Sequence, residues 1–257
     1  MRPEPSPAFA SAIDRLGFER ACYAAIAVVL ATIWPLALFA LRPRRVGEHD
    51  SDDDEAARAD PPGPARSRRE LLSEPRYLTM VGAFSIALLA QISFIAHQAA
   101  FLEPSLGLKG AGWAISLTSL SALVGRLAIG LVVDRIDRRL ATAIVLVVQI
   151  AGMAVLLSST AVPALYLGCV LFGFGVGNLI TLPGLIVQKE LPRRDFARAV
   201  SLNVAITQLV AAIGPSLLGV LHDLSGSYRS SLIACLVLQA AAALLVLVRP
   251  RARFTDA

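Results

Sequence analysis

Long runs of apolar residues recur along most of the chain and constrain its fold more than any other feature. The chain has 257 residues, 56% of them hydrophobic, and a soluble domain of that length has no core able to bury so much apolar surface. Each run is near the ~20 residues that a helix needs to cross a membrane. The seven runs predict an all-α membrane protein with seven transmembrane helices: Ala21–Leu41, Leu78–Phe101, Ala111–Val133, Leu140–Ser158, Val162–Val187, Phe196–Leu221 and Ser231–Val248.

The distribution of basic residues predicts how these helices are oriented. Most of the 24 lysines and arginines lie after the first, third and fifth runs or in the C-terminal tail. The opposite side has Lys109 and Arg229 in its loops, and Arg2, Arg15 and Arg20 at the N-terminus. Basic residues favour the cytoplasmic side, so we expect the C-terminus inside the cell and the N-terminus outside. The location that this implies is the inner (plasma) membrane.

The polar segments divide the chain into five parts. Residues 1–20 form an extracytoplasmic segment and residues 21–41 the first helix. Residues 42–76 contain an acidic run, a proline-rich stretch and several arginines without a periodic apolar face, so a disordered cytoplasmic linker is expected. Residues 77–249 form a six-helix unit, and residues 250–257 a cytoplasmic tail.

One arginine, Arg126, interrupts the third apolar run, which ends in a cluster of charges. At about 1.5 Å per residue, Arg126 lies ~12 Å inside Asp134. That depth approaches the middle of a hydrocarbon core about 30 Å thick. A charge there is costly and usually faces a bundle interior, a partner or a substrate path. Arg126 is therefore the strongest functional candidate.

The charge cluster carries a family resemblance. Residues 130–139, GLVVDRIDRR, resemble the loop motif G-x-L-A-D-R-x-G-R-(R/K) of the major facilitator superfamily, with Asp137 in place of the second glycine. That family has twelve transmembrane helices in two six-helix halves. The resemblance implies that the first run is helix six and the others are helices seven to twelve, the C-terminal half. It implies a gating role for Gly130, Asp134, Arg135, Arg138 and Arg139, with Asp134 held by the start of the helix near 196–201.

Arg126, Gly130 and Asp134 also match the spacing found in helix eight of bacterial relatives of oxalate–formate and monocarboxylate transporters. The resemblance implies that a small organic anion is bound, because a guanidinium donates two parallel hydrogen bonds to a carboxylate. The alternative is that Arg126 pairs with a polar neighbour and only holds helices together. Four further polar residues inside the runs are candidates for substrate binding: His97, Gln98, Asn178 and Gln208.

Glycines and prolines inside the runs are expected to pack or bend the helices. Small residues four apart let two helices approach closely, and proline is tolerated in membrane helices. The residues in this group are Gly173, Gly177, Pro183, Gly214, Pro215 and Gly219.

These patterns predict a secondary transporter that works by alternating access, present here in partial or truncated form. Its expected partners are the lipid bilayer, the anion, and either a missing N-terminal half or a second copy of the chain. An accessory membrane subunit is the alternative, and a heptahelical receptor a remote one. No catalytic triad, phosphate loop or metal-ligand spacing is evident, so we expect no enzyme, cofactor or metal. The net charge of +5 is assigned to membrane topology and not to nucleic acid.

Overall fold

Helices account for nearly all of the described structure. The computed structural model describes residues 66–250, together with Tyr23, Ala27, Ala31 and Trp34, which are helical and exposed. The rest of the chain lies outside the described residues: residues 1–20, the other residues of the predicted first helix, residues 42–65 of the linker and residues 251–257 of the tail. Within residues 66–250 there is no strand, and the helices are α1 (Arg68–Leu71), α2 (Pro75–Val132), α3 (Arg138–Ser158), α4 (Val162–Val176), α5 (Asn178–Glu190), α6 (Arg193–Ser225) and α7 (Tyr228–Leu247).

Helix α2 is a hairpin of two helices and not one rod. Its backbone is non-helical at Gly107, where φ is 66° and ψ is 170°, a region that glycine enters readily. The Gln98 side chain donates to the Thr118 hydroxyl over 2.8 Å, whereas 20 residues of straight helix would separate them by about 30 Å. The chain therefore reverses at Gly107. We call the two arms α2a (75–106) and α2b (108–132).

The helices are long and apolar enough to cross a membrane six times. Five stretches meet that requirement: 75–132, 138–158, 162–190, 193–225 and 228–247. The first contains two crossings because of its hairpin, and the third combines α4 with α5. The prediction of an all-α membrane protein is confirmed.

The turns between crossings define two ends of this unit. We call one the Gly107 end, which contains Gly107 and the loops 159–161 and 226–227. The other is the Arg139 end, which contains the loops 133–137 and 191–192 and residues 248–250.

The start of α3 explains why the loop motif tolerates an aspartate where a glycine is usual. Asp137 has φ −65° and ψ 129°, an ordinary extended conformation that needs no glycine. Its carboxylate accepts hydrogen bonds of 3.0 Å from the backbone amides of Arg139 and Leu140. Asp137 is thus the N-cap of α3, a position that aspartate favours.

The end of the predicted linker is ordered, which differs from the sequence-based expectation of disorder up to residue 76. Ser67 and Glu70 form a reciprocal capping box at the start of α1. The Arg66 amide donates to the Asp195 carboxylate over 2.7 Å and attaches this segment to α6. The capping pattern was present in the sequence, but the surrounding charges and the absence of apolar periodicity concealed it.

Glycines bring the central helices into close contact. A methyl group added to Gly173 of α4 would lie 2.4 Å from the Thr118 carbonyl oxygen of α2b. One added to Gly125 of α2b would lie 2.1 Å from the carbonyl oxygen of Phe174. At these contacts no side chain fits between α2b and α4, so the backbones pack directly.

Candidate functional site

The Arg126 guanidinium lies at the junction between α4 and α5. Its Nε and Nη2 atoms donate to the Gly177 carbonyl oxygen over 3.2 and 2.8 Å. Gly177 lies near the midpoint of the crossing formed by residues 162–190. The Arg126 guanidinium is therefore bonded near the middle of that crossing.

Arg126 has no acidic partner within the described part of the chain. Its side-chain hydrogen bonds to the described residues go to one backbone carbonyl, and the residue is exposed. An arginine at the centre of a membrane helix costs about 2.5–3.5 kcal/mol by insertion scales, and a carbonyl dipole does not neutralise its charge. The arrangement leaves a positive charge able to accept an anion.

The junction itself is surrounded by side-chain donors from other helices. Gly177, which separates α4 from α5, keeps right-handed helical angles, φ −67° and ψ −25°, so the crossing continues through this residue while its regular hydrogen-bond pattern is disturbed there. Asn178 donates to the Phe174 carbonyl over 2.9 Å, and Gln149 donates to Gln91 over 2.8 Å and to the Phe172 carbonyl over 3.4 Å. With Arg126, these contacts form a polar layer between two apolar clusters of the core.

Gln98 and Asn178 are buried, which favours a packing role over a substrate-binding one. Gln98 is 1% exposed and is bonded to Thr118, with a further contact to the Cys169 sulfur at 3.5 Å. Asn178 is also 1% exposed. Gln208 on α6, by contrast, is exposed within its crossing.

His97 is half-buried near the Gly107 end, where it connects α2a to α6. Its Nε2 atom lies 3.0 Å from the Pro215 carbonyl oxygen. Because a carbonyl oxygen only accepts, Nε2 carries a hydrogen and donates this hydrogen bond. The ring also lies 5.7 Å from that of Tyr228, which stacks on His222 at 4.0 Å. This environment is that of an interhelical hydrogen bond.

The part of α6 around Pro215 faces α2a. A methyl group on Gly214 would lie 2.2 Å from the Ser93 hydroxyl oxygen, and one on Gly219 would lie 3.9 Å from His97. Pro215 lies between them and its carbonyl accepts from His97. Pro183 is buried inside α5, six residues after the junction. Of these residues, Gly214 lies where a side chain would not fit against α2a.

The exposed part of the loop motif does not make the contact expected for it. The side chain of Asp134 is 81% exposed, and its ion-pair partner is Arg138 at 3.8 Å. A contact with the start of α6 would bury that carboxylate, so the expected interaction with 196–201 is absent from this conformation. Gly130 and Arg135 are exposed, and a methyl group on Gly130 would meet no atom within 4 Å.

Arg139, for which the sequence predicted only a gating role, is a buried hub of hydrogen bonds. It is 1% exposed, and its Nε and Nη2 atoms bind the two Glu190 carboxylate oxygens at 2.6 and 2.8 Å. The same guanidinium also donates to the Thr79 hydroxyl and to three carbonyls, at Arg76, Val246 and Val248. It thereby connects α2a, α3, α5 and the end of α7. No local pattern marks Glu190 as its partner.

The polar groups near Arg126 are suited to binding a solute. No group of three or more His, Cys, Asp or Glu side chains in the described residues could hold a metal ion. The polar layer offers amide groups, carbonyl oxygens and one guanidinium. Such groups bind and orient a polar solute by hydrogen bonds and charge.

Comparison with protein families identifies the family of this chain. The family model of the Major Facilitator Superfamily matches residues 84–256, about two thirds of the chain. The match includes α2b, the loop motif and the α4–α5 junction. No curated protein matches the chain.

Proposed function

We propose that this chain, which belongs to the Major Facilitator Superfamily, is part of a secondary transporter for a small organic anion, with Arg126 as its anion-binding residue. Members of the family are membrane transporters, and the described helices fit a multi-pass membrane protein. The observation that carries the proposal is the unpaired charge of Arg126 near the middle of the membrane. The spacing shared with oxalate–formate and monocarboxylate transporters supports a carboxylate as the ligand.

Binding would exchange one acceptor for another. The Gly177 carbonyl now accepts two hydrogen bonds from Arg126. A carboxylate offers the same guanidinium two charged oxygens in a matching plane, and such charge-assisted bonds are about twice as strong as neutral ones. The anion would therefore displace the Gly177 carbonyl and alter the α4–α5 junction. Occupancy of the site would in this way be linked to the geometry of the α4–α5 junction.

The site also needs a second wall. Arg126, Ser116 and Ser119 are exposed on α2b, and Gln208 is exposed on α6, within stretches that cross the membrane. Polar groups at that depth normally face protein or a water-filled cavity and not lipid. We propose that a second six-helix unit, supplied by an N-terminal half or by another copy of this chain, faces them. The N-terminus would lie outside the cell and the C-terminus in the cytoplasm.

Anion protection against heat tests the proposal. The purified chain is melted in neutral detergent with oxalate, formate or lactate, and with glycerol and choline as neutral and cationic controls. Binding to the folded state raises the melting temperature, because a ligand at 100 times its dissociation constant adds about 2.7 kcal/mol of stability. We expect at least one carboxylate to raise it and the controls to have no effect. Equal responses to carboxylates and controls would contradict an anion site, and would favour an accessory subunit without substrate.

A further inference from the structure

A cavity lies at the Gly107 end, away from Arg126. It has a volume of about 250 Å³ and lies between the end of α2a, the α3–α4 loop and the start of α7. Liquid water occupies roughly 30 Å³ per molecule, so the space exceeds what one small ion needs. The residues that line it are Phe101, Ser105, Leu156, Leu157, Ser158, Ser159, Thr160, Leu165 and Arg229.

The polar part of this lining consists of hydroxyl groups and one cation. Arg229 donates from Nη1 to the Leu157 carbonyl over 3.1 Å, which holds the guanidinium beside the α3–α4 loop. The Nε and Nη2 atoms of this guanidinium make no hydrogen bond to the described residues. The hydroxyls of Ser105 and Thr160 make none to them either. No carboxylate lines the cavity, and Asp223, at the same end, lies instead against His222 at 3.3 Å.

The lining of this cavity carries positive charge, because Arg229 is its one charged residue and the carboxylates at the same end, Glu103 and Asp223, do not line it. Arg229 is the second residue of α7, a helix of 20 residues whose N-terminus carries a partial positive charge. A cation in the first turn opposes the helix dipole, so this placement does not stabilise α7. The N-terminus of α4 follows the lining residue Thr160, and its cap residue Ala161 has no side chain that could bind the free amides. Together these groups favour an anion.

The floor of the cavity is apolar, and the cavity lies at the end of the membrane crossings. Phe101, Leu156 and Leu165 supply the apolar part. The cavity lies where crossings end, and Trp113 and Tyr228 lie near the same end, as aromatic residues do at the boundary between lipid and water. A ligand that matches this lining is amphipathic, with an oxyanion at Arg229 and an apolar part against the floor.

We propose that this cavity binds the phosphate group of an anionic phospholipid, with Arg229 and the hydroxyls of Ser105 and Thr160 as its ligands. Free phosphate shares the oxyanion chemistry but would leave the apolar floor uncovered. The lipid fills both parts of the site. The proposal concerns residues distant from Arg126 and is independent of the transported solute.

Retention of lipid by the purified 257-residue chain tests this site. Bound phosphatidylglycerol is counted by native mass spectrometry for the original chain and for Arg229→Gln, with zwitterionic phosphatidylcholine as the comparison lipid. Lys109→Gln is the matched control, because it removes an equal charge at the same end but from a residue that does not line the cavity. We expect Arg229→Gln to weaken phosphatidylglycerol binding about fivefold, the typical effect of one basic residue near an anionic lipid surface, and Lys109→Gln to have little effect.

A second variant guards against a folding defect in Arg229→Gln. The double substitution Ser105→Ala with Thr160→Val keeps the bond from Arg229 to Leu157 and should still lower phosphatidylglycerol retention. Equal losses in the Arg229 and Lys109 variants would overturn the proposal by showing a general charge effect, as would unchanged retention in Arg229→Gln and in the double variant. Displacement of the lipid by inorganic phosphate at equal concentration would assign the cavity to the free anion and also overturn it.

Discussion

At the scale of single residues, two arginines in this chain have opposite environments. Arg139 is 1% exposed, and its guanidinium is saturated by the Glu190 carboxylate, a hydroxyl and three carbonyls. Arg126 is exposed, and a single carbonyl is its acceptor. The first arrangement stabilises the six-crossing unit, whereas the second leaves a charge for another molecule. Burial and acceptor count, and not residue type, therefore distinguish the structural arginine from the one that we propose binds the anion.

Replacing Arg139 should destabilise the folded chain strongly. Removing one member of a buried ion pair typically costs 3–5 kcal/mol. Glu190 keeps 24% exposure and can be partly hydrated, so for Arg139→Gln we expect about 3 kcal/mol. Equilibrium unfolding in mixed detergent micelles measures the loss. Arg135→Gln is the control, since an exposed loop arginine should change stability by no more than about 0.5 kcal/mol. Similar stabilities for the two variants would show that the hub is dispensable.

Asp137 should make stability depend on acidic pH. Burial raises the pKa of its carboxyl, but hydrogen bonds from Arg249 and from the amides of Leu140 and Arg139, with the Arg249 charge, outweigh burial and lower that pKa below 3.8. The stabilisation is therefore present above the unfolded pKa and is lost as pH falls through the folded one. The melting-temperature difference between the original chain and Asp137→Asn should be constant from pH 5 to 7 and shrink below about pH 4. A difference that does not change with pH would exclude this role.

At the scale of helices, direct contact between α2b and α4 organises the unit. Gly173 and Gly177 of α4 lie against Thr118 and Ala122, and Gly125 of α2b lies against Phe174. The spacing of Gly173 and Gly177 was visible in the sequence, but the helix that they meet was not. Gly125 was missed, because a single glycine in an apolar run has no periodic signal.

The sequence predicted helix existence better than helix relationships. Run length and composition are local properties, so the membrane crossings could be found from them. Arg139 and Glu190 lie 51 residues apart, and the Gly177 junction is surrounded by polar side chains from α2a, α2b and α3. Such contacts arise from packing, which one sequence does not encode locally. The same limit applies to Gln98, whose burial depends on Thr118 across the hairpin.

A methyl group at Gly125 should disrupt the contact between α2b and α4. It would lie 2.1 Å from a backbone oxygen that cannot move without shifting α4. We expect Gly125→Ala to destabilise the chain by about 1–3 kcal/mol, the usual cost of overpacking. Gly130→Ala is a matched control on the same helix, because its methyl group would meet no atom within 4 Å and should stabilise by roughly 0.5–1 kcal/mol. Unfolding in mixed micelles compares them, and equal effects would refute the close contact.

At the scale of the whole molecule, α6 has a surface that is not covered by the other described helices. The buried residues of α6 form one narrow stripe, Asp195, Ala199, Asn203, Thr207, Ala211, Gly214 and Leu218. The rest of this helix is largely exposed, including Gln208 in the middle of its crossing. Lipid suits the apolar part of that surface but not the polar part. A second unit across Arg126 and Gln208 accounts for both.

The proposed orientation can be measured in intact cells. In a background in which Cys22, Cys169 and Cys235 are replaced by alanine, Lys109→Cys places a thiol at the Gly107 end and Arg135→Cys one at the Arg139 end. The excess of basic residues at the Arg139 end predicts that it is cytoplasmic. A membrane-impermeant maleimide should then label the cysteine at 109 and reach that at 135 only after the cells are opened. The reverse pattern would invert the topology.

The affinity of Arg126→Lys for a carboxylate tests the central claim most directly. Lysine keeps the charge but loses the planar fork, so a residue that holds a carboxylate should lose one charge-assisted hydrogen bond. The expected cost is on the order of 1.5–3 kcal/mol, roughly ten- to a hundredfold in dissociation constant, with little change in the melting temperature of the unliganded chain. Titration calorimetry with the carboxylate that protects the original chain, beside melting curves and an Arg135→Lys control, provides both numbers. Unchanged affinity with a lowered melting temperature would contradict the account and make Arg126 a packing residue.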